Sequence, residues 1–155
     1  MKRIFLLSIF TTLLFITIGC NSDDNSSANN GELILGKWKA MTVDMQVLKD
    51  NVVVEEEKDI PASDYAIMTL DFKQNNVMDY YFKSLVDPNA DVIDITGTYS
   101  INGNTLTLNL NELGENSVQI LALSKTTLKV KLKPEPFEED GVQYTRINTL
   151  TFSKM

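Results

Sequence analysis

From Leu33 to the C-terminus, apolar residues recur at every second position, and no stretch places them at i, i+3, i+4 and i+7 over three turns. A period of two belongs to strands, because successive side chains leave opposite faces of the backbone. In residues 104–111, Leu106, Leu108 and Leu110 share one face while Thr105, Thr107 and Asn109 take the other. Ala66, Met68, Leu70 and Phe72 form a second inward row, Met78, Tyr80 and Phe82 a third, and Ile93, Ile95, Gly97, Tyr99 and Ile101 a fourth. Lys129, Lys131 and Lys133 alternate with Leu128, Val130 and Leu132, an outward face that supplies solubility. The chain reads as all-β, each strand having one wet face.

Strands are expected near 36–47, 52–57, 66–73, 77–83, 92–101, 105–111, 117–123, 127–133 and 142–153. Asn102-Gly103 is the strongest turn signal, since this pair tolerates the positive φ angles of a type I′ hairpin. Gln74-Asn75-Asn76, the segment 111–116 and Ser124-Lys125 punctuate other pairs, and residues 134–141 read as an acidic loop before the last strand. Consecutive short strands with hairpin links suggest a meander, and closing it removes both exposed edges. An up-and-down antiparallel β-barrel of about eight strands is the expected fold.

Composition narrows the chemistry. The 155 residues include no His and one Cys, with 14 Lys+Arg against 21 Asp+Glu. Without His, the commonest general base and metal ligand and every His-dependent triad are gone, and a single Cys forbids an internal disulfide. No enzyme, cofactor or metal site is expected. The net charge of −7 argues against nucleic acid as a partner, because phosphate-backbone binders cluster cations. Asp87-Pro88-Asn89-Ala90-Asp91 begins like a calcium loop, but Val92 stands where Gly is required and no Glu closes the twelfth position, so it reads as a turn. Glu55-Glu56-Glu57 and Glu138-Glu139-Asp140 read as solvated hairpin tips.

The first nineteen residues have the layout of a secretory signal: a basic start at Lys2-Arg3, an uncharged apolar run from Ile4 to Ile18, then Gly19. The run is shorter than the roughly 20 apolar residues of a spanning helix. Thr17-Ile18-Gly19-Cys20 resembles the lipobox of bacterial lipoproteins. That resemblance implies cleavage before Cys20, acylation of its thiol and new amine, and a membrane partner held through lipid. Removing residues 1–19 leaves 12 basic and 21 acidic residues, a net −9. Residues 20–32 then form the lipidated Cys20 and a disordered tether, since residues 21–32 hold one apolar side chain, Ala28. Ser22-Asp23-Asp24 resembles the surface-export signal of Bacteroidota lipoproteins, which implies display on the outer membrane's outer face, the alternative being a periplasm-facing location. Residues 33–155 are the folded domain, expected to be a monomer.

Leu33-Ile34-Leu35-Gly36-Lys37-Trp38 resembles the opening Gly-x-Trp of lipocalins and of bacterial lipocalin-like lipoproteins, and the segments 97–108, 120–128 and 150–154 fit the pattern of the latter group. The resemblance implies a barrel with a cup open at one end, plugged at the other by Trp38 with a basic residue of the last strand over its ring. Antiparallel pairing of first and last strands makes Lys154 a better candidate than Arg146 for that cation–π contact. The alternative keeps Trp38 as core and Lys154 as an exposed tail. Gly36, Trp38 and Lys154 are structural in the plug reading.

Ligand residues are sought on the last strand. Val142, Tyr144, Arg146, Asn148, Leu150 and Phe152 share a face, which points Arg146, with Tyr144 and Asn148, into the upper cup. There a guanidinium suits a carboxylate or phosphate on an apolar molecule, with Asp44 as its acceptor when no ligand is bound. The competing assignment turns Thr145, Ile147, Thr149 and Thr151 inward through a bulge. Strand one is equally two-sided: Trp38, Ala40, Thr42, Asp44 and Gln46 alternate against Met41, Val43, Met45 and Val47, and a bulge near Ala40 would line the cup with methionines. The expected function is a lipid-anchored carrier of a small apolar or amphipathic ligand. The alternative is a non-enzymatic accessory lipoprotein with a packed interior that binds a protein or glycan through its loops.

Overall fold

The computed structural model describes residues 26–111 and 113–155. The expected signal peptide (residues 1–19), Cys20 and Ser22-Asp23-Asp24 lie outside the described residues. A helix, α1 (Ser26–Ile34), precedes ten strands: β1 (Gly36–Lys49), β2 (Val52–Pro61), β3 (Ala66–Phe72), β4 (Val77–Ser84), β5 (Ile93–Asn102), β6 (Thr105–Leu110), β7 (Gly114–Leu123), β8 (Thr127–Lys131), β9 (Glu135–Glu139) and β10 (Val142–Lys154). All ladders are antiparallel.

Ten strands fill eight positions in a closed barrel. β1 pairs with β10 along most of its length, and its other edge meets β3 at Gly36 to Lys39 and β2 at Thr42 to Lys49. β2 and β3 therefore run the same way, as one barrel position broken at Ala62 to Tyr65. On the other side of the seam, β10 meets β9 at Val142 to Arg146 and β8 at Thr149 to Ser153. β8 and β9 are likewise one position, broken at Leu132 to Pro134. The long β1 and β10 thus carry β2 and β9 as a four-stranded extension at the open end.

A bulge sets the faces of β1. The register to β10 slips between Ala40 and Thr42, so Met41 is the extra residue and stands 49% exposed. Below it Trp38 and Ala40 point inward; above it Val43 and Val47 do, while Asp44 and Gln46 face out. Both candidate alternations of strand one are therefore used, one in each half, and of the methionines only Met45 shares the inner side. The register of β10 is unbroken, which keeps Tyr144, Arg146 and Asn148 on the side of Leu150 and Phe152.

The core is densest at the closed end, where Trp38, Phe72, Met78, Leu128 and Phe152 are almost wholly buried. α1 caps this end. It packs against β5 and β7, sends the Asn30 side-chain amide to the Gly103 carbonyl at 3.4 Å, and buries Ile34 completely. This corrects the expectation of a tether extending to Glu32: the chain is helical from Ser26, and docking under the barrel supplies the stability that nine residues lack alone.

Two further expectations are corrected. The acidic loop 134–141 contains a strand, β9, because the upper half of β10 leaves a row of backbone groups that a neighbour must satisfy. Pro134 just before it and Pro136 within it fit an edge position, where a missing N–H costs little. The β5–β6 hairpin turns one residue later than the Asn-Gly pair suggests: Asn102 pairs with Thr105, and Gly103 alone takes a positive φ, +57°, at the first loop position.

Candidate functional site

The barrel encloses a cavity of about 490 Å³ above the packed closed end. Its walls come from the inward rows: Met68 and Leu70 on β3, Tyr80 on β4, Leu106, Leu108 and Leu110 on β6, Val118 on β7, Val130 on β8, and Leu150 and Phe152 on β10. Polar groups gather toward the rim, where Asn116, Ser117, Lys133 and Glu135 join Leu113, Pro134 and Pro136. Tyr80 is the one phenol on the wall, and burial pushes its hydroxyl above the ordinary tyrosine value, so it stays protonated as a hydrogen-bond donor or acceptor. Tyr99 is used differently: its hydroxyl donates to the Lys73 carbonyl at 3.1 Å and its ring meets Phe72 edge-on at 4.9 Å, which stiffens the base.

The inward alternation of the wall strands was legible from sequence. The rim was not. Its signal is Pro134-x-Pro136, which interrupts the strand after β8 and leaves the neighbouring end of β7 without a partner on that side.

Tyr144, Arg146 and Asn148 lie on the inner side of β10 but do not line this cavity. Phe137 of β9 takes up two of them: Tyr144 stacks on its ring at 5.4 Å with 21° between planes, and the Arg146 guanidinium lies 4.9 Å from its centroid. The Arg146 Nε is buried without a hydrogen-bond partner. Asp44 is not its acceptor. Asp44 faces Thr149 across the ladder, Arg146 faces Val47, and Asp44 on the outer side receives Lys129 Nζ at 2.8 Å and the Asp59 backbone N–H at 3.0 Å. The Asp59 hydrogen bond first, and Lys129 second, hold the Asp44 carboxyl below its usual range.

At the closed end Lys154 Nζ lies 5.0 Å from the Trp38 ring centroid and donates to the Leu33 carbonyl at 3.2 Å. The Trp38 indole N–H donates to the Ile34 carbonyl at 2.7 Å. Gly36, at φ +110°, gives Lys154 room, since a Cβ there would stand 2.9 Å from its Cε.

The 87–91 segment is a turn held by its own atoms, with Asp87 Oδ1 accepting from the Asn89 N–H at 2.9 Å and Ser84 Oγ accepting from the Asp87 N–H at 3.1 Å. Among the described residues, no three Asp, Glu or Cys side chains converge as a metal site, and no helix is long and apolar enough to cross a membrane.

Comparison with solved structures returns a lipocalin-like protein from Bacteroides uniformis, 15% identical over 79% of this chain and 99% of that one with a TM-score of 0.44. A protein from Bacteroides eggerthii is 13% identical over 78% and 98% with a TM-score of 0.43. Bovine odorant binding protein in complex with undecanal is 20% identical over 81% and 72%, also with a TM-score of 0.43. No curated protein sequence matches the chain. The family model described as a lipocalin-like domain matches residues 34–130, from the buried end of α1 to Val130 on the cavity wall. With that match covering more than half of the sequence, from Ile34 through the strands to Val130, the chain belongs to the lipocalin-like domain family.

Proposed function

We propose that this protein is a non-enzymatic, lipid-anchored binding protein that takes a small apolar or amphipathic molecule into the barrel. The observation that carries the reading is the cavity itself: about 490 Å³, walled by aliphatic side chains from five strands, with one half-buried phenol from a sixth and polar groups only at the rim. Small-molecule pockets occupy roughly 300–1,000 Å³ and combine apolar walls with a few polar groups that orient the ligand. A lipid on Cys20 would attach the domain from its closed end, because the chain enters through α1 beneath the barrel. The open end then points away from the membrane, whether the protein faces the periplasm or the cell exterior.

Titration with N-phenyl-1-naphthylamine tests the binding reading. Saturable fluorescence enhancement at one site, reversed by dodecanol, is the expected result. Exposed Val52, Val53 and Val54 on β2 favour the alternative, an accessory protein acting through its loops. No enhancement by the probe would move the account to that alternative.

A further inference from the structure

The barrel wall has a side opening. Strand β7 runs from Gly114 to Leu123, but its ladder to β8 begins only at Gln119, opposite Lys131. Before Gln119, residues of β7 are held by β6 on one edge and meet no strand on the other. The facing chain has left the ladder: Leu132 N–H bonds to the Asn148 carbonyl on β10 at 2.9 Å, and Pro134 then leads into β9, which pairs with β10 alone.

A groove of about 450 Å³ lies over this gap on the outer face, among Asn104, Thr105, Gln119 and Lys131. Ser117, Val118, Leu132, Lys133 and Pro134 line both the groove and the internal cavity. The two spaces adjoin through the missing part of the ladder, one apolar and the other carrying cations and amides. Among the described residues, neither Lys131 nor Lys133 has a carboxylate partner within ion-pair distance, whereas the next lysine on that face, Lys129, is engaged by Asp44.

We infer that the gap between β7 and the β8–β9 link is a lateral portal, and that its occupant is a single-chain amphiphile with an anionic headgroup. The chain lies in the cavity against Leu108 and Val118, and the headgroup sits outside on Lys131 and Lys133. Charge separates this placement from one at the open end. Glu135 stands on the cavity side of the portal, opposite Arg146 in the β9–β10 ladder, and disfavours an anion there, while Lys131 lines the groove alone and Lys133 borders it from the wall that the two spaces share. Lysine ammonium acts as a point charge on a flexible stem, so it accommodates a carboxylate or a phosphate monoester equally.

The inference rests on the binding reading above and is tested so that the two can fail separately. Dodecanol, dodecanoate and dodecyl phosphate, each below its micelle concentration, are titrated against the full-length protein, the double variant Lys131→Gln/Lys133→Gln, and Arg146→Gln. Both anions should bind wild type about tenfold more tightly than the alcohol, the size of one charge-assisted contact. The preference should vanish in the lysine variant, through loss of affinity for the anions, and persist in Arg146→Gln. A difference between the two anions identifies which headgroup the portal favours. Loss of the preference in Arg146→Gln with retention in the lysine variant overturns the portal and seats the headgroup at the open end. Equal affinity of wild type for all three probes overturns the headgroup assignment while leaving the cavity reading intact, and no binding of any probe overturns the binding reading itself.

Discussion

Lys154 reaches across the barrel seam to lie 5.0 Å from the ring centroid of Trp38, and the two side chains bind adjacent carbonyls, Leu33 and Ile34, at the end of α1. The first and last strands are thereby tied to each other and to the helix that caps the base. A helix ending leaves unsatisfied carbonyls, and here an indole N–H and an ammonium satisfy two of them.

Removing the ring should cost more than removing the charge. Trp38→Ala empties a wholly buried aromatic site, a change that typically costs about 3–5 kcal/mol and often leaves little of a small domain's stability. Lys154→Met keeps the stem over the ring and should cost about 1 kcal/mol, the size of a partly exposed cation–π contact and hydrogen bond. Urea denaturation of the two variants checks the order. A Lys154→Met cost equal to that of Trp38→Ala would mean that the ammonium, and not ring burial, closes the barrel.

Gly97 on β5 is a second constrained position. A Cβ there would collide with the Asn109 carbonyl oxygen of β6 and lie 3.0 Å from a Leu110 methyl. The obstruction is backbone, which cannot swing aside, so Gly97→Ala should destabilise by about 1–3 kcal/mol, as overpacking does. Thermal unfolding measures it, and a melting temperature at or above wild type would contradict the close approach.

These two positions show what a sequence conveys. Period-two rows gave the strand faces because each wall residue meets only water or core. Gly36 and Trp38 stood out by their resemblance to the Gly-x-Trp opening of lipocalins, and Lys154 because a closed up-and-down barrel must bring its two ends together. Broken strands were harder. Residues 134–141 carry prolines and acids that read as loop, and only the need of β10 for a partner makes them a strand. The Asp44 to Arg146 pairing failed for a related reason: the Met41 bulge advances β1 by one residue, which turns Asp44 outward to Lys129 and leaves Arg146 to Phe137. A one-residue slip exchanges the faces of everything beyond it.

The Asp44 to Lys129 contact gives stability a pH dependence. The Asp44 carboxyl is depressed from an ordinary 3.8, chiefly by the Asp59 N–H and then by Lys129. A group more acidic folded than unfolded stabilises fully above its unfolded value and loses that contribution as pH falls through the folded value. Asp44→Asn should therefore cost several tenths to about 1 kcal/mol at pH 7, the range of a partly exposed ion pair, with the gap to wild type closing at an acid pH below the folded value. Denaturant midpoints at both pH values check it. A gap that persists unchanged at low pH would assign Asp44 a packing role instead.

The proposed membrane attachment rests on Cys20. Cys20→Ala should abolish incorporation of labelled palmitate and release the protein to the soluble fraction. Replacing Asp23 and Asp24 with Ala should protect the domain from protease added to intact cells if those residues direct surface display. Unlabelled wild-type protein would remove the anchor from the account, and equal protease sensitivity in both forms would remove the export signal.

The proposed function requires a hollow barrel that receives an apolar chain. Calorimetric titration of dodecanol into wild type and Leu108→Arg, at several temperatures, tests it most directly, with circular dichroism establishing that the variant is folded. The account predicts one molecule bound per wild-type chain with a negative heat-capacity change, the mark of apolar burial, and no binding to the folded variant, whose charge would occupy the cavity wall. No binding to wild type, or unchanged binding to Leu108→Arg, would contradict it.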